Sequence, residues 1–457
     1  MKKYRFKTRL IVAFLIALLA AVTALSGCSG GDSGDSGDAG DTPAGENPAE
    51  VELGFIWPET GGSSAIGLEH KIGAQKAIDE INANGGVKSM GGAKLVPVWK
   101  DSESTADVGA TKVEELVTVD NVPIVIGCYN SVVTLPAAER ANALQTPFLS
   151  MGAVGMGITN SGFEWVFRIN NTAEYDVVEL IKGLQLAEEE KGVEIKTYAV
   201  IYENTDWGAD NAEYFKKYAE EEGWECVVDE PVTTPATDLS SQVAKIKAAN
   251  PDVVNASFYT NDAILFADAC FNSDYQPPYG FWSSGGGMQA QDFFTGVQDP
   301  GSYEYMFVQE DWGVAGPYLY DWIKELKDQL ATEGITLNSY FAQGWTAAYV
   351  AYEALEAAGT TDKEAIRTAL RDLDIENSVD NPSRVVLTGY PRIKFDEQGQ
   401  NTYSTGTICQ YQEGVAVGLS PVSNRFPDAE FIIPIPNDFA SRAGNMVEWG
   451  ELGKWEI

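Results

Sequence analysis

Apolar and polar residues follow two periods along this chain, and the two take turns. Short, nearly continuous apolar runs occur at Glu52–Trp57, Leu95–Lys100, Pro123–Ile126, Pro147–Ser150, Thr197–Tyr202, Asp252–Phe258 and Tyr305–Gln309. Such runs predict strands covered on both faces. Stretches with helical spacing lie between them, near 65–84, 105–119, 136–145, 173–190, 207–222 and 238–249. In the last of these, Leu239, Val243 and Ile246 share one face, and Asn250-Pro251-Asp252 stops the helix and opens the next strand. Strand–helix alternation predicts parallel sheets with right-handed crossovers. A polar break at Asn170-Asn171-Thr172 separates two similar runs of units, which predicts two α/β lobes. Three more helices are expected near 318–331, 340–358 and 362–373. Leu319, Ile323, Leu326 and Leu330 mark one apolar stripe; Phe341, Trp345, Ala348, Tyr352 and Leu355 mark another. Stripes of this kind pack on a sheet.

The first 50 residues break this pattern. Lys2, Lys3, Arg5, Lys7 and Arg9 precede a sixteen-residue apolar run, Leu10 to Leu25. A basic start and a short apolar stretch describe a secretory leader, and the run is too short to span a bilayer as a helix. Leu25-Ser26-Gly27-Cys28 then resembles the lipobox of bacterial lipoproteins. The resemblance implies cleavage after residue 27 and a lipid on Cys28. Residues 29–50 are rich in Gly, Ser and Asp, cannot bury enough surface to order, and read as a flexible tether.

Composition narrows the rest. The 457 residues suit two or three domains, and 44% hydrophobic with 21% charged residues is globular. Lys plus Arg number 31 against 67 Asp plus Glu, a net charge of −36 that becomes −41 without the leader. Nucleic acid and acidic membrane surfaces are repelled. One histidine, His70, excludes histidine-rich metal sites and argues against a Ser-His-Asp enzyme. It lies in the helix after the first loop and is expected to face solvent. Cys128, Cys226, Cys270 and Cys409 contain no Cys-x-x-Cys pair; they allow three disulfide connectivities, and free thiols fit equally well.

No phosphate loop, His-Glu-x-x-His or Gly-x-Ser-x-Gly motif is present. No cofactor or metal is expected. Polar loops do follow the predicted strands. They begin at Trp57, Gly127, Ser150, Asn204, Tyr259 and Trp282. Ligands of open α/β sheets bind beyond the carboxyl ends of strands. Hydroxyls and free N–H groups at helix starts favour a carboxylate or another acceptor-rich group.

These residues resemble a known family. Thr60-Gly61 follows the first strand, and Asp79-Glu80-Ile81-Asn82-Ala83-Asn84-Gly85-Gly86 closes the first helix. Val125-Ile126-Gly127 with Ser131 and Thr134, Pro147-Phe148-Leu149-Ser150, Val166-Phe167-Arg168 and Thr205-Asp206-Trp207-Gly208 continue the match. Residues 51–420 are similar to the type I periplasmic binding proteins of the branched-chain amino acid kind, the solute receptors of ABC transporters. The resemblance implies two Rossmann-like lobes with parallel sheets, joined by a three-strand hinge that closes on a ligand. Lobe 1 would be 51–170 plus 311–388, and lobe 2 would be 171–310 plus 389–457. The expected protein is a lipid-anchored monomer that captures an amino acid or small organic acid for a permease and its ATPase. A sensor for a signalling partner and an anchored hydrolase using two carboxylates are the alternatives.

Site residues carry over position by position. The family's carboxylate-holding serine falls on Ser131, with Asn130 beside it. The backbone group after the fourth strand falls on Ala153, and a neighbouring threonine is Val154 here. Trp207 and Tyr259 are the aromatic positions of the second lobe. The acid that pairs with a ligand ammonium falls at Ser284, which is not acidic, and Asp206 or Asp262 would have to substitute. Trp57 stands where the family has a small residue. Trp57, Tyr129, Trp207, Tyr259 and Trp282 form an aromatic pocket, or two or three of them are core. The segment after about 422 is an extra cover or a tail.

Overall fold

The computed structural model describes residues 48–311, 320–378, 383–385, 388–425 and 428–436. The leader, Cys28, the tether up to residue 47 and Leu319 lie outside the described residues. In chain order the first lobe runs β1 (Glu50–Trp57), α1 (Ser64–Ala83), β2 (Lys94–Asp101), α2 (Ala106–Thr118), β3 (Val125–Gly127), α3 (Ser131–Ala143), β4 (Phe148–Ser150), α4 (Gly157–Asn160) and β5 (Val166–Arg168). Its sheet has the order β2-β1-β3-β4-β5 and every pairing is parallel. Val51, Leu53, Phe55, Ile56 and Trp57 of β1 are all buried, as a strand covered on both faces requires.

The second lobe repeats the order. It comprises α5 (Ala173–Lys191), β6 (Thr197–Glu203), α6 (Asp206–Glu221), β7 (Glu225–Val232), α7 (Ser240–Ala249), β8 (Val253–Ser257), α8 (Thr260–Asn272), β9 (Phe281–Ser283), α9 (Gln291–Gly296) and β10 (Phe307–Glu310). The helices α10 (Asp321–Thr332), α11 (Ser339–Ala358) and α12 (Lys363–Arg371) return to the first lobe's core. Strands β11 (Asp374–Glu376) and β12 (Arg392–Lys394) form a small antiparallel pair. β13 (Thr407–Gln412) and β14 (Val415–Ser420) then add an antiparallel hairpin to the second sheet. That sheet reads β14-β13-β10-β9-β8-β6-β7. The chain thus passes between the two sheets after β5, after β10 and between β12 and β13.

Local signals explain the helix starts. Thr172 accepts from the Tyr175 N–H at the start of α5, Asn338 from Phe341 N–H at α11, and Asp362 from Ala365 N–H at α12. Two places depart from the sequence expectation in ways that matter. The helix expected from Pro136 begins at Ser131, with Pro136 inside it, so Ser131 is the first helical residue of α3 rather than a loop residue. The loop expected at Tyr259–Asp262 is the opening of α8, whose almost wholly apolar run from Ala263 to Phe266 gives no clear period. Beyond 422, Phe431, Ile433 and Ile435 pack into the core of the second lobe, so this segment covers the sheet.

One helix pair sets the geometry of the first lobe. At Gly73 of α1 an added Cβ would lie 2.1 Å from the Phe341 carbonyl oxygen of α11. At Gly344 of α11 it would lie 2.0 Å from the His70 carbonyl oxygen of α1. The two backbones touch, and only glycine at both positions permits it. Gly344→Ala should therefore destabilise the protein by about 1–3 kcal/mol through forced repacking. Gly62→Ala, where an added Cβ meets nothing within 4 Å, should stay within about 0.5 kcal/mol of the parent. Urea denaturation of the two variants checks this.

Candidate functional site

Both sheets reverse their strand order near the middle, between β1 and β3 and between β6 and β8. Loops leave such a switch point in opposite directions and open a crevice beyond the carboxyl ends of the strands. A single cavity draws on both crevices. Tyr129 and Ser131 reach it from the end of β3, and Gly152 and Val154 from the end of β4. Trp207, Tyr259 and Ser284 reach it from the ends of β6, β8 and β9. Asp311 follows β10, Asp176 sits in the first turn of α5, and Tyr340 and Gln343 come from α11.

The lining offers a donor. The Ser131 hydroxyl accepts from the Gly155 N–H at 3.0 Å, which leaves its own proton to donate. It stands at the N-terminus of α3, where the helix dipole favours negative charge. The lining also carries acids. Asp176 is 2% exposed and its Oδ1 has no hydrogen-bond partner. Burial, and then the charge of Asp311, push its carboxyl well above the usual carboxylate range. Burial also pushes Asp311 up to about 6, against hydrogen bonds from Gln343, Tyr390 and Gln309. Among the described residues, none lining the cavity is basic. The nearby Arg168, pulled down to about 9 by burial, donates to the Gly155 carbonyl at 2.7 Å, to Thr159 Oγ1 at 2.8 Å and to Gln400. It holds the loop that carries Gly152 and Val154.

The walls are rings from both lobes. Trp207 and Tyr259 stack with centroids 4.8 Å apart. Tyr129 lies 5.6 Å from Tyr259 across the cleft and 5.6 Å from Tyr340. The Tyr259 hydroxyl meets the Asn130 side chain and the Ser131 backbone. Tyr340 donates its hydroxyl proton to the Gly286 carbonyl, and the Met156 N–H donates to Asp210 Oδ2 at 3.1 Å. These contacts close the lobes on each other, and the space left is ≈ 40 Å³.

The structure brings Ser131, Val154, Trp207, Tyr259 and Ser284 together around this space. Asn130 is the cap residue of α3 and donates to Ser63 Oγ at 2.9 Å. Ala153 is fully buried, and its carbonyl already accepts from Asn170 at 3.1 Å. Trp57 is buried against His70, with ring centroids 4.5 Å apart. Trp282 stacks on Phe307 at 3.9 Å inside the second core. Asp206 is exposed at the start of α6, and Asp262 is buried and accepts from the Ala236 N–H at 3.0 Å. Neither lines the cavity. Ser284 donates to the Asn211 side chain.

His70 contradicts the sequence expectation. It is 0% exposed, because α1 is covered on one face by the sheet and on the other by α11. Cys128, Cys226, Cys270 and Cys409 are free thiols. The sequence reading missed Asp176, Asp311 and Gln343. Asp176 carried a signal: it is an acid four residues before Leu180 on the buried face of α5. Asp311 carried another, since it stands just past the end of a predicted strand.

The sequence profile of the family described as periplasmic binding protein matches residues 50–408. The Leu/Ile/Val-binding protein homolog 8 of Brucella abortus (strain 2308) is 28% identical over 390 residues, covering 82% of this chain and 91% of that protein. Among solved structures, the branched-chain amino acid transporter substrate-binding protein LivJ of Streptococcus pneumoniae, in complex with isoleucine, superposes with a TM-score of 0.68 at 21% identity. The match covers 80% of this chain and 97% of that one. A solute-binding protein of an ABC transporter from R. palustris, in complex with benzoate, gives a TM-score of 0.68 at 17% identity over 81% and 95% of the two chains. At these identities the two structures establish a shared fold.

The buried acids around the cleft make a pH prediction. Burial raises Glu69 from 4.5 to about 7, and Glu203 and Glu310 to about 8. The folded state thus keeps protons that the unfolded chain releases above 4.5. This stability is fully present below 4.5 and is lost progressively up to about 8. Melting temperature should rise as pH falls from 8 to 5.5. Glu203→Gln, which removes one such group, should flatten the rise by being relatively more stable at pH 8. Thermal melts in a buffer series check both.

Proposed function

Since the chain belongs to the periplasmic binding protein family, we propose that it is an extracytoplasmic receptor that binds an amino acid and delivers it to an ABC importer. The observation that carries this reading is the polarity of the cavity. Ser131, at the start of α3, and the acids Asp176 and Asp311 line the same space. A zwitterion matches both. Its carboxylate takes the Ser131 proton, and its ammonium takes the unpartnered Oδ1 of Asp176 together with Asp311. The two acids supply the charge that Ser284 lacks. Its side chain lies against Trp207, Tyr259, Tyr129 and Tyr340, rings that favour an apolar substituent.

The closed space of ≈ 40 Å³ suits about three water molecules, at ~10–15 Å³ each. Entry of an amino acid therefore requires the lobes to part at the three chain passages and close again. Nothing in this reading requires bond chemistry, and the protein acts by binding alone. Cleavage after residue 27 and a lipid on Cys28 would hold it at the membrane beside the permease and ATPase. The tether would supply reach. The monomer is the working unit.

An aromatic acid is the second reading. The ring-lined walls and the benzoate-bound relative favour it. The acids in the lining oppose it, because a benzoate would bury its charge near two carboxylates while the nearby Arg168 is already engaged by Gly155, Thr159 and Gln400.

Calorimetric titration with leucine, phenylalanine, valine, benzoate and 4-methylpentanoate separates the two. The last is leucine without its ammonium. We expect leucine to bind more tightly than 4-methylpentanoate by about 2–5 kcal/mol, the penalty of leaving a buried charge unpaired. Ser131→Ala should weaken leucine by about 1–3 kcal/mol. Benzoate binding above leucine would reverse the assignment. For the anchor, Cys28→Ser should move the protein from the membrane fraction to the soluble extracytoplasmic fraction on cell fractionation.

A further inference from the structure

The buried histidine is linked to the cleft by a chain of hydrogen bonds. His70 Nδ1 lies 2.9 Å from the Ile66 carbonyl oxygen, four residues back in α1. A carbonyl only accepts, so Nδ1 carries a proton. His70 Nε2 lies 2.8 Å from the side-chain amide of Gln343, and the other end of that amide meets Asp311 Oδ2. His70 itself does not line the cavity, whereas Gln343 and Asp311 do.

The donors and acceptors in this chain balance in two ways only. If the Gln343 oxygen faces His70, then Nε2 must also carry a proton, and the Gln343 NH2 donates to an Asp311 carboxylate. If the amide is turned over, its NH2 donates to the bare Nε2, and its oxygen must accept from a protonated Asp311. With no proton to share, two lone pairs face each other; with two, two donors collide. The amide of glutamine has the same shape in both orientations. Both arrangements hold one proton in addition to the one on Nδ1.

We propose that His70, Gln343 and Asp311 hold this one proton in common, and that His70 is thereby a positioning residue that sets the charge and orientation of the cleft carboxylate. The surroundings choose where the proton rests. Around His70 stand the Trp57 ring from β1, Tyr129 after β3, and Tyr340 from α11, with centroids 4.5, 5.7 and 5.4 Å away. Asp311 faces Tyr390, Gln309, Asp176 and Glu310. No cation is among them, and Arg168 acts on Asp176. Burial pulls His70 down to about 4 and raises Asp311 to about 6. Below about pH 6 the empty site thus keeps the proton on Asp311 and the imidazole neutral.

A ligand ammonium at Asp311 reverses the preference, and here the inference rests on the proposed amino acid ligand. Asp311 gives its proton to water, the Gln343 amide turns over, and Nε2 takes a proton from water. One proton is released and one is bound, so the exchange at these three residues nets to zero. Without His70 no imidazole takes up a proton to offset the one released.

His70 is the single histidine of the sequence. Nitrogen NMR of protein labelled at histidine, purified without a histidine tag, therefore reports one imidazole. The ligand-free protein at pH 5 should show the Nδ1–H tautomer with a bare Nε2. Added leucine should protonate Nε2, and Asp311→Asn should abolish that change. An Nε2–H tautomer, or an ordinary solution-like titration near 6.5, would overturn the proposal without any ligand. Calorimetry in buffers of different ionisation enthalpy gives the second readout. Below pH 6, His70→Leu should release close to one proton more per leucine bound than the parent. Its affinity for leucine should fall towards tenfold per pH unit relative to the parent. Equal proton release in the two proteins would also overturn it. If leucine fails to bind at all, the amino acid reading fails, and the ligand-free tautomer still decides the relay.

Discussion

The backbone contact between α1 and α11 is the constraint on which the rest depends. Gly73 and Gly344 let the two helices approach until each would place a Cβ within about 2 Å of the other's carbonyl oxygen. One helix follows the first strand and the other lies nearly three hundred residues on, so the contact closes the first lobe around its sheet. It also buries His70 and brings Tyr340 and Gln343 of α11 to the cleft. A larger residue at either glycine would separate the helices and pull the His70–Gln343 hydrogen bond apart. Packing density and site geometry are thus one property here, as expected of interiors that deform in steps rather than smoothly.

The cleft then sets opposite demands on its lining residues. Ser131 is held by the Gly155 N–H so that its proton is free, and Arg168 fixes the loop that supplies Gly155. Asp176 is buried and Asp311 half-buried in the same lining, and among the described residues none on the cavity surface is basic. Carboxylates withdrawn from water are costly when both are charged; Arg168 offsets this at Asp176 alone, and protons or a ligand ammonium relieve the rest. The lobe-bridging contacts made by Tyr259, Tyr340 and Asp210 close this arrangement over the ligand space.

Several residues of the cavity lining were legible in the sequence, and those that were not have a common cause. Ser131, Trp207 and Tyr259 stand at strand ends, where a local rule points to them. Trp57 and Trp282 stand at strand ends too, yet both are core, because whether a ring turns toward the cleft or the sheet depends on what packs above it. Asp176 and Gln343 lie on helices whose apolar stripes read as plain packing surface. A polar residue in such a stripe is either satisfied internally or aimed into a cavity, and only the partner helix decides. His70 was expected in solvent because its own helix leaves one face open; α11 covers that face.

Local physics along the chain determined the element types, the parallel sheets and the two lobes. Periodicity, caps and strand-end glycines act over a few residues, and all of these are written in neighbouring positions. The acids in the lining, the buried histidine and the relay to Asp311 were decided by tertiary structure alone. His70 and Gln343 are 273 positions apart, and nothing in the spacing of either predicts the other. Burial and charge compensation are properties of assembled surfaces, so they exist only once the lobes have folded and met.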